Sequence, residues 1–241
     1  MPLGRGLPLL LVAVVGFAGG LDERQRLLEL RLFPVPLVLQ NVTVTKARGE
    51  IGAVVQHGYA LFGAELRLNN GQEPTVNIDL PAGSTLGDAL RQILKRLPGY
   101  DYEIVSAHLI NIYPKGAKQD PGDLLNMRVA QFDVADTTPG EVISAPALFV
   151  PALRQLLYPG SGFLGGLSGG PRNLNLHLQN VTVREILNAA SQATESFPSD
   201  LAPLGWLYTF HPKAGLPGGG VHSWQPLMTA PRDWKVPAKQ G

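Results

Sequence analysis

Two stretches of the chain alternate apolar and polar side chains and then switch to helical spacing. Val76-Asn77-Ile78-Asp79-Leu80 and Leu174-Asn175-Leu176-His177-Leu178 each line one face with apolar residues, the period of a half-buried strand. After a short turn, Leu86, Leu90, Ile93, Leu94 and Leu97 follow the first stretch, and Val183, Ile186, Leu187 and Ala190 follow the second. Both sets recur at the spacing of a helix with one apolar stripe. Thr85 with Asp88, and Thr182 with Glu185, stand between strand and helix. That is the capping-box spacing, in which the Thr hydroxyl and the carboxylate satisfy N–H groups left open at a helix start. Pro98-Gly99 ends the first of these helices, and Tyr100–Val105 and Leu109–Tyr113 then read as two strands joined by a turn. Trp206-Leu207-Tyr208-Thr209-Phe210 reads as a strand closing the second stretch.

A third copy precedes these. Leu39–Val44 and Leu178–Val183 are both LQNVTV, an exact match that points to an internal repeat. In the earlier copy Thr43 stands at the cap, Ala47, Ile51, Val54 and Val55 supply the helix face, and Lys46 occupies the place of Glu185. The box there is incomplete. The expected fold class is α+β, made of repeated small strand–helix–strand units, each a helix packed on a short sheet with Gly/Pro-rich connections.

These patterns divide the chain into a segment 1–20, a first strand–helix unit with an N-terminal helix (21–72), and a second unit with a following strand and helix (73–158). A Gly-rich linker (159–172), a third unit (173–212) and an irregular tail (213–241) follow. The N-terminal helix is expected over Asp22–Leu32, stopped by Pro34 and Pro36. A strand is expected over Met127–Val134 and a helix over Pro146–Leu157. Segment 1–20 has the form of a signal peptide: Arg5, an apolar run from Leu7 to Phe17, and small residues at Gly16 and Ala18. The run is short for a membrane span. Cleavage is expected shortly after Ala18, retention as an anchor being the alternative, and the mature chain is expected to have no transmembrane span. The expected location is the periplasm or cell envelope.

At Asn173–Ala190, NLNLHLQNVTVREILNAA, and at Val76–Leu94, VNIDLPAGSTLGDALRQIL, the chain resembles the short N-terminal domain shared by secretins and TonB-dependent receptors. That family's unit also runs from a strand through an N-x-[TP]-[LV] turn into a helix with E-x-L near its start. No barrel strands, secretin channel segment or receptor plug accompany the resemblance. The family uses the domain as a periplasmic contact module, so the resemblance implies binding or scaffolding without naming the partner; the expected partner is another envelope protein.

Composition and candidate chemistry narrow the function further. The chain has 241 residues, 44% of them apolar, and a net charge of +1 with Lys and Arg scattered. Nucleic-acid binding needs a concentrated basic face and is not expected. The absence of cysteine removes disulfides, thiolate metal sites, cysteine nucleophiles and lipid anchoring through an N-terminal Cys. Gly160–Gly165 matches G-x-G-x-x-G, but Pro159 before it and Pro171 after it deny it the strand and helix that phosphate binding requires. Of His57, His108, His177, His211 and His222, no two have the helical spacing of a metal pair, though the last three could meet in space. No nucleophile elbow or S-x-x-K motif occurs. Asp101 and Glu103 read as solvated, and Asp120–Asp123 as a turn. Neither a catalytic residue, a cofactor nor a metal is assigned. The sequons at Asn41 and Asn180 are read structurally, with Asn shaping a turn and Thr capping a helix.

Trp206, Tyr208 and Phe210 share a strand face. Exposed, they would suit a sugar or peptide; such rows are more often core. The leading expectation is therefore a non-catalytic, exported envelope protein acting as an interaction or scaffolding module, with a sheet edge as one means of binding. A periplasmic small-ligand or glycan-binding protein is the alternative, and a hydrolase with dispersed catalytic residues ranks below it. Open sheet edges favour the first, an aromatic-lined pocket the second, and a cleft with shifted acid or base groups the third.

Overall fold

The computed structural model describes residues 21–56, 58–160, 174–196 and 202–229. The signal-like segment, His57, Trp234 and the linker beyond Gly160 lie outside the described residues. The elements run α1 (Leu21–Glu29), β1 (Leu37–Thr43), α2 (Val44–Ala53), β2 (Leu61–Arg67), β3 (Thr75–Leu80), α3 (Leu86–Arg96), β4 (Tyr100–Ile104) and β5 (Leu109–Pro114). They continue with β6 (Arg128–Thr137), α4 (Pro139–Ser144), α5 (Pro146–Phe149), α6 (Pro151–Leu157), β7 (Leu174–Thr182), α7 (Val183–Ala193), β8 (Leu204–Pro212) and β9 (Gly220–Met228). The class is α+β.

The expected caps start their helices. Thr182 Oγ1 accepts from the Glu185 N–H at 3.2 Å, and the Glu185 carboxylate accepts from the Thr182 N–H at 2.6 Å. Thr85 and Asp88 repeat the exchange at 3.2 and 2.8 Å. Thr43 accepts from the Lys46 N–H at 3.2 Å with nothing returned, since a lysine has no acceptor to offer. A fourth box, Thr138 with Glu141, starts α4, a helix not expected from the sequence. Two residues before each cap the backbone turns left-handed, at Asn41 (φ 49°), Gly83 (φ 77°), Asp136 (φ 51°) and Asn180 (φ 50°). Asn, Asp and Gly are the residues that tolerate this region. The Asn41 and Asp136 N–H groups each donate to an Asn side chain on the neighbouring strand, Asn77 Oδ1 at 2.7 Å and Asn175 Oδ1 at 3.2 Å. Both turns interrupt the register of an antiparallel ribbon, β1 with β3 and β6 with β7.

The remaining strands form one five-stranded sheet in the order β4-β5-β2-β8-β9. β2 runs parallel to both neighbours, pairing Ala64 with Ile112 of β5 and Gly63 with Trp206 of β8. A core covers each face. Phe62, Ala64, Leu66, Ile110, Ile112 and Leu207 point toward α2, α3 and the β1–β3 ribbon. Trp206, Tyr208 and Trp224 point the other way, toward α4, α6, α7 and the β6–β7 ribbon. The helical stripes read from the sequence, Leu86, Leu90 and Ile93 in α3 and Val183, Ile186, Leu187 and Ala190 in α7, are buried in these cores. Each such Val, Leu or Ile side chain contributes about 1.5–3 kcal/mol on burial.

Several expectations change. The segment 213–241 was expected to be irregular, yet it supplies β9, which pairs with β8 from Gly220–Pro212 to Met228–Leu204. The Pro146–Leu157 helix is two short helices, because Pro151 begins a second helix, α6. Strands also pair across the boundaries drawn from the sequence: β1 with β3 across 72/73, and β8 with β2.

Candidate functional site

The Trp206, Tyr208 and Phe210 row faces inward. Trp206 is 0% and Tyr208 3% exposed, with Phe210 packed against the same core. Gly63 makes room for the indole, since a Cβ there would lie 2.4 Å from Trp206 Cε2 and 2.1 Å from Asn111 Oδ1. Trp206 Nε1 donates to Asn188 Oδ1 of α7 at 2.9 Å. This row is core, and it does not form a sugar-binding face. The histidines separate as well. Strand register places His211 opposite Val221 and His222 opposite Phe210, on opposite sheet faces, while His177 pairs with Asp133 on the β6–β7 ribbon. Among the described residues no group of three or more His, Cys, Asp or Glu side chains could hold a metal ion, and no helix is long and apolar enough to cross a membrane.

Polar groups concentrate instead where α7 crosses the sheet. Arg184 Nη2 donates to Glu65 Oε2 of β2 at 2.9 Å, both residues being buried. Glu65 also hydrogen-bonds Asp123, and Arg67 lies 3.7 Å from both Asp123 and Asp120. Burial, then the bond to Asp123 and its charge, push the Glu65 carboxyl up to about 8 against the opposing pull of Arg184. Two carboxyls in contact cannot both ionise cheaply. Tyr208 Oη and His222 Nδ1 are hydrogen-bonded at 2.7 Å beside this cluster; burial raises the phenol and lowers the imidazole. The cavity among Glu65, Arg67, Asp123, Tyr208 and His222 holds about 90 Å³. Ligand pockets span roughly 300–1,000 Å³. The cluster's groups are therefore turned on one another, as an ionic clasp between α7, β2 and the turn carrying Asp123.

A larger cavity lies on the other side of Arg184. It measures about 640 Å³ and is bounded by Tyr102, Glu103, Ile104 and Val105 on one side and by Thr182, Arg184, Glu185 and Asn188 on the other, with Lys118 and Asn126 at one end. One wall is thus consecutive backbone at β4, the sheet's edge, and the other is the first two turns of α7. The sequence reading placed Asp101 and Glu103 in solvent. Asp101 is exposed, while Glu103 is half-buried, ion-paired with Lys118 and hydrogen-bonded by Asn111 Nδ2 at 3.2 Å. No sequence pattern marks Lys118, Asn126 and Arg184 as neighbours of β4: the turn segment after β5 brings the first two there and α7 brings the third.

The ladder phase shows what β4 offers. Val105 N–H bonds Leu109 O at 2.8 Å and Lys115 N–H bonds Gly99 O at 2.8 Å. In an antiparallel pair hydrogen-bonded and non-bonded positions alternate, so the N–H and C=O of Tyr102 and Ile104 point away from β5. The Tyr102 N–H is taken by Asp101 Oδ1 at 2.8 Å; the Ile104 backbone faces outward. On the opposite face of the sheet a second cavity, about 250 Å³, lies between α1 and α3 and is lined by Leu28, Thr85, Gly87, Leu90 and Arg91 together with Tyr102. The edge thus has a cavity on each side, and Tyr102 borders both. The far edge, β9, differs: its outward positions include Pro226, which has no N–H to give a further strand. No protein-family model, curated protein or solved structure matches the chain.

Proposed function

We propose that the chain is an exported, non-catalytic envelope protein that binds another envelope protein by accepting an extended segment as an added strand along β4. The observation that carries this reading is the open edge of β4 set between two cavities that share Tyr102. In strand addition the main-chain bonds supply affinity, and pockets for alternate side chains supply specificity. β4 offers both, whereas Pro226 blunts β9. The fourfold recurrence of a left-handed residue, a Thr cap and a helix supports the reading as repeated units resembling the secretin and TonB-receptor domain. The signal-like pattern of Arg5, Leu7–Phe17 and Ala18 supports export. Against a hydrolase stand the small volume around Glu65 and the mutual pairing of its acids.

Ile104→Pro tests the binding mode. It removes an outward N–H and leaves the β4–β5 ladder bonds in place. Decapeptides selected from a displayed random library on the wild-type chain should lose binding to a folded Ile104→Pro chain. Equal binding to both would refute strand addition at β4.

A further inference from the structure

The two cavities beside β4 differ in chemistry. The one facing α1 and α3 has an apolar floor of Leu28 and Leu90, with Gln25, Glu29 and Arg91 around it. The one facing α7 has more hydrogen-bond donors than acceptors to match them. Arg184 is 4% exposed, spends Nη2 on Glu65 and lies 5.8 Å from the Tyr113 ring centroid, while its buried Nε and Nη1 have no hydrogen-bond acceptor. Lys118 pairs with Glu103 and lies 5.7 Å above the Tyr113 ring; an ammonium has three protons to place. Asn188 gives its Oδ1 to Trp206, which leaves its amide nitrogen as the group for the cavity. The two carboxylates in the wall are already engaged. Glu103 takes Lys118 and Asn111, and Glu185 takes the Thr182 N–H and hydroxyl. Asn126 donates to the Ala117 and Asp120 carbonyls.

We infer that the segment taken up by β4 carries an Asp or Glu and seats its carboxylate in the cavity on the α7 side, between Arg184 and Lys118. The inference rests on strand addition at β4. A buried donor without an acceptor costs about 1–3 kcal/mol, so Arg184 is a standing demand for an anion that its present partner does not meet. Glu65 is held toward its protonated form by burial first and by Asp123 second, which weakens the counter-charge on Arg184 near neutral pH. Adjacent side chains of an added strand point to opposite faces. The residue next to the acid therefore faces Leu28 and Leu90 and is apolar.

The test pans a displayed library of random decapeptides against the full chain as wild type, Lys118→Glu and Ile104→Pro, each first shown to melt cooperatively. The wild type should enrich an Asp or Glu beside an apolar residue. Changing that acid to its amide in a synthetic peptide should weaken binding about tenfold or more, the worth of a hydrogen bond to a charged group. The Lys118→Glu chain should lose the acid preference. Should that variant fail to fold, the peptide substitution decides alone, since it leaves the protein unchanged. Enrichment that depends on Ile104 but shows no acid preference overturns this inference and leaves strand addition standing. Peptides indifferent to Ile104→Pro, or no enrichment at all, overturn strand addition and the inference with it.

Discussion

Replacing Glu65 by Gln isolates the proton held in the clasp. Glu65 is 1% exposed, and its carboxyl is raised from 4.5 to about 8 by burial first and by contact with Asp123 second. A carboxyl whose folded value exceeds its unfolded one binds its proton more tightly in the native state. Its contribution is complete below about pH 4.5 and is lost as pH rises through about 8. At about 1.4 kcal/mol for each tenfold change, the upper limit is roughly 5 kcal/mol, and relaxation of the buried site reduces it. Gln is neutral at every pH, accepts from Arg184 through its carbonyl and donates to Asp123 through its amide. Charged neighbours Arg67, Asp120, Asp123 and Arg184, and the half-buried His222, are common to both chains. Urea unfolding at intervals from pH 4.5 to 8.5 should therefore give two different profiles. Near pH 5 the chains should be of similar stability; by pH 8 the wild type should have lost several kcal/mol more than Glu65→Gln. Parallel profiles across that window would refute the shared proton and with it the account of the clasp.

Two further substitutions test the fold. Thr182→Ala should cost about 0.5–2 kcal/mol in chemical denaturation and Thr182→Ser little, since Ser keeps the acceptor for the Glu185 N–H; Asn180→Gln, which destroys the sequon but not the cap, should not reproduce the Thr182→Ala loss in full, and a neutral Thr182→Ala would remove the cap account. Arg48 is 0% exposed, with Nε and Nη1 unpartnered and only a 3.4 Å approach of Nη2 to Thr45 Oγ1, and burial lowers its guanidinium to about 10 against the pull of Glu73. Arg48→Met should leave stability unchanged or raise it by about 1–3 kcal/mol, measured by urea midpoint, and a loss above about 1 kcal/mol would contradict the poor pairing.

The local layer of the fold was legible because it obeys short-range rules. T-x-x-E spacing marked helix starts, and period-2 runs marked β3 and β7, whose outer faces meet solvent. β2 was not legible. Its residues Leu61–Leu66 are buried on both faces, so alternation disappears, as it does in parallel strands covered on two sides. Glu65, the centre of a buried cluster, therefore stands in a run with no pattern to mark it. β9 hid for a related reason: Gly220, His222, Gln225 and Pro226 carry little strand preference, and its place is set by pairing with β8. The cavity beside β4 draws on β4, the turn at Lys118 and α7, and no spacing along the chain records that meeting.

The parallel seam between β2 and β8 also bears on how the chain reaches its native state. Gly63 must find Trp206, and all the intervening sequence is made first when synthesis runs from the N-terminus. Until β8 arrives, β2 carries an unpaired edge, and the face of the sheet destined for the second core lies bare. Such long-range pairing slows folding and leaves strands open to wrong partners. The nascent first half is thus the point at which a holding chaperone, or delayed folding until the whole chain has been released, would protect the protein best.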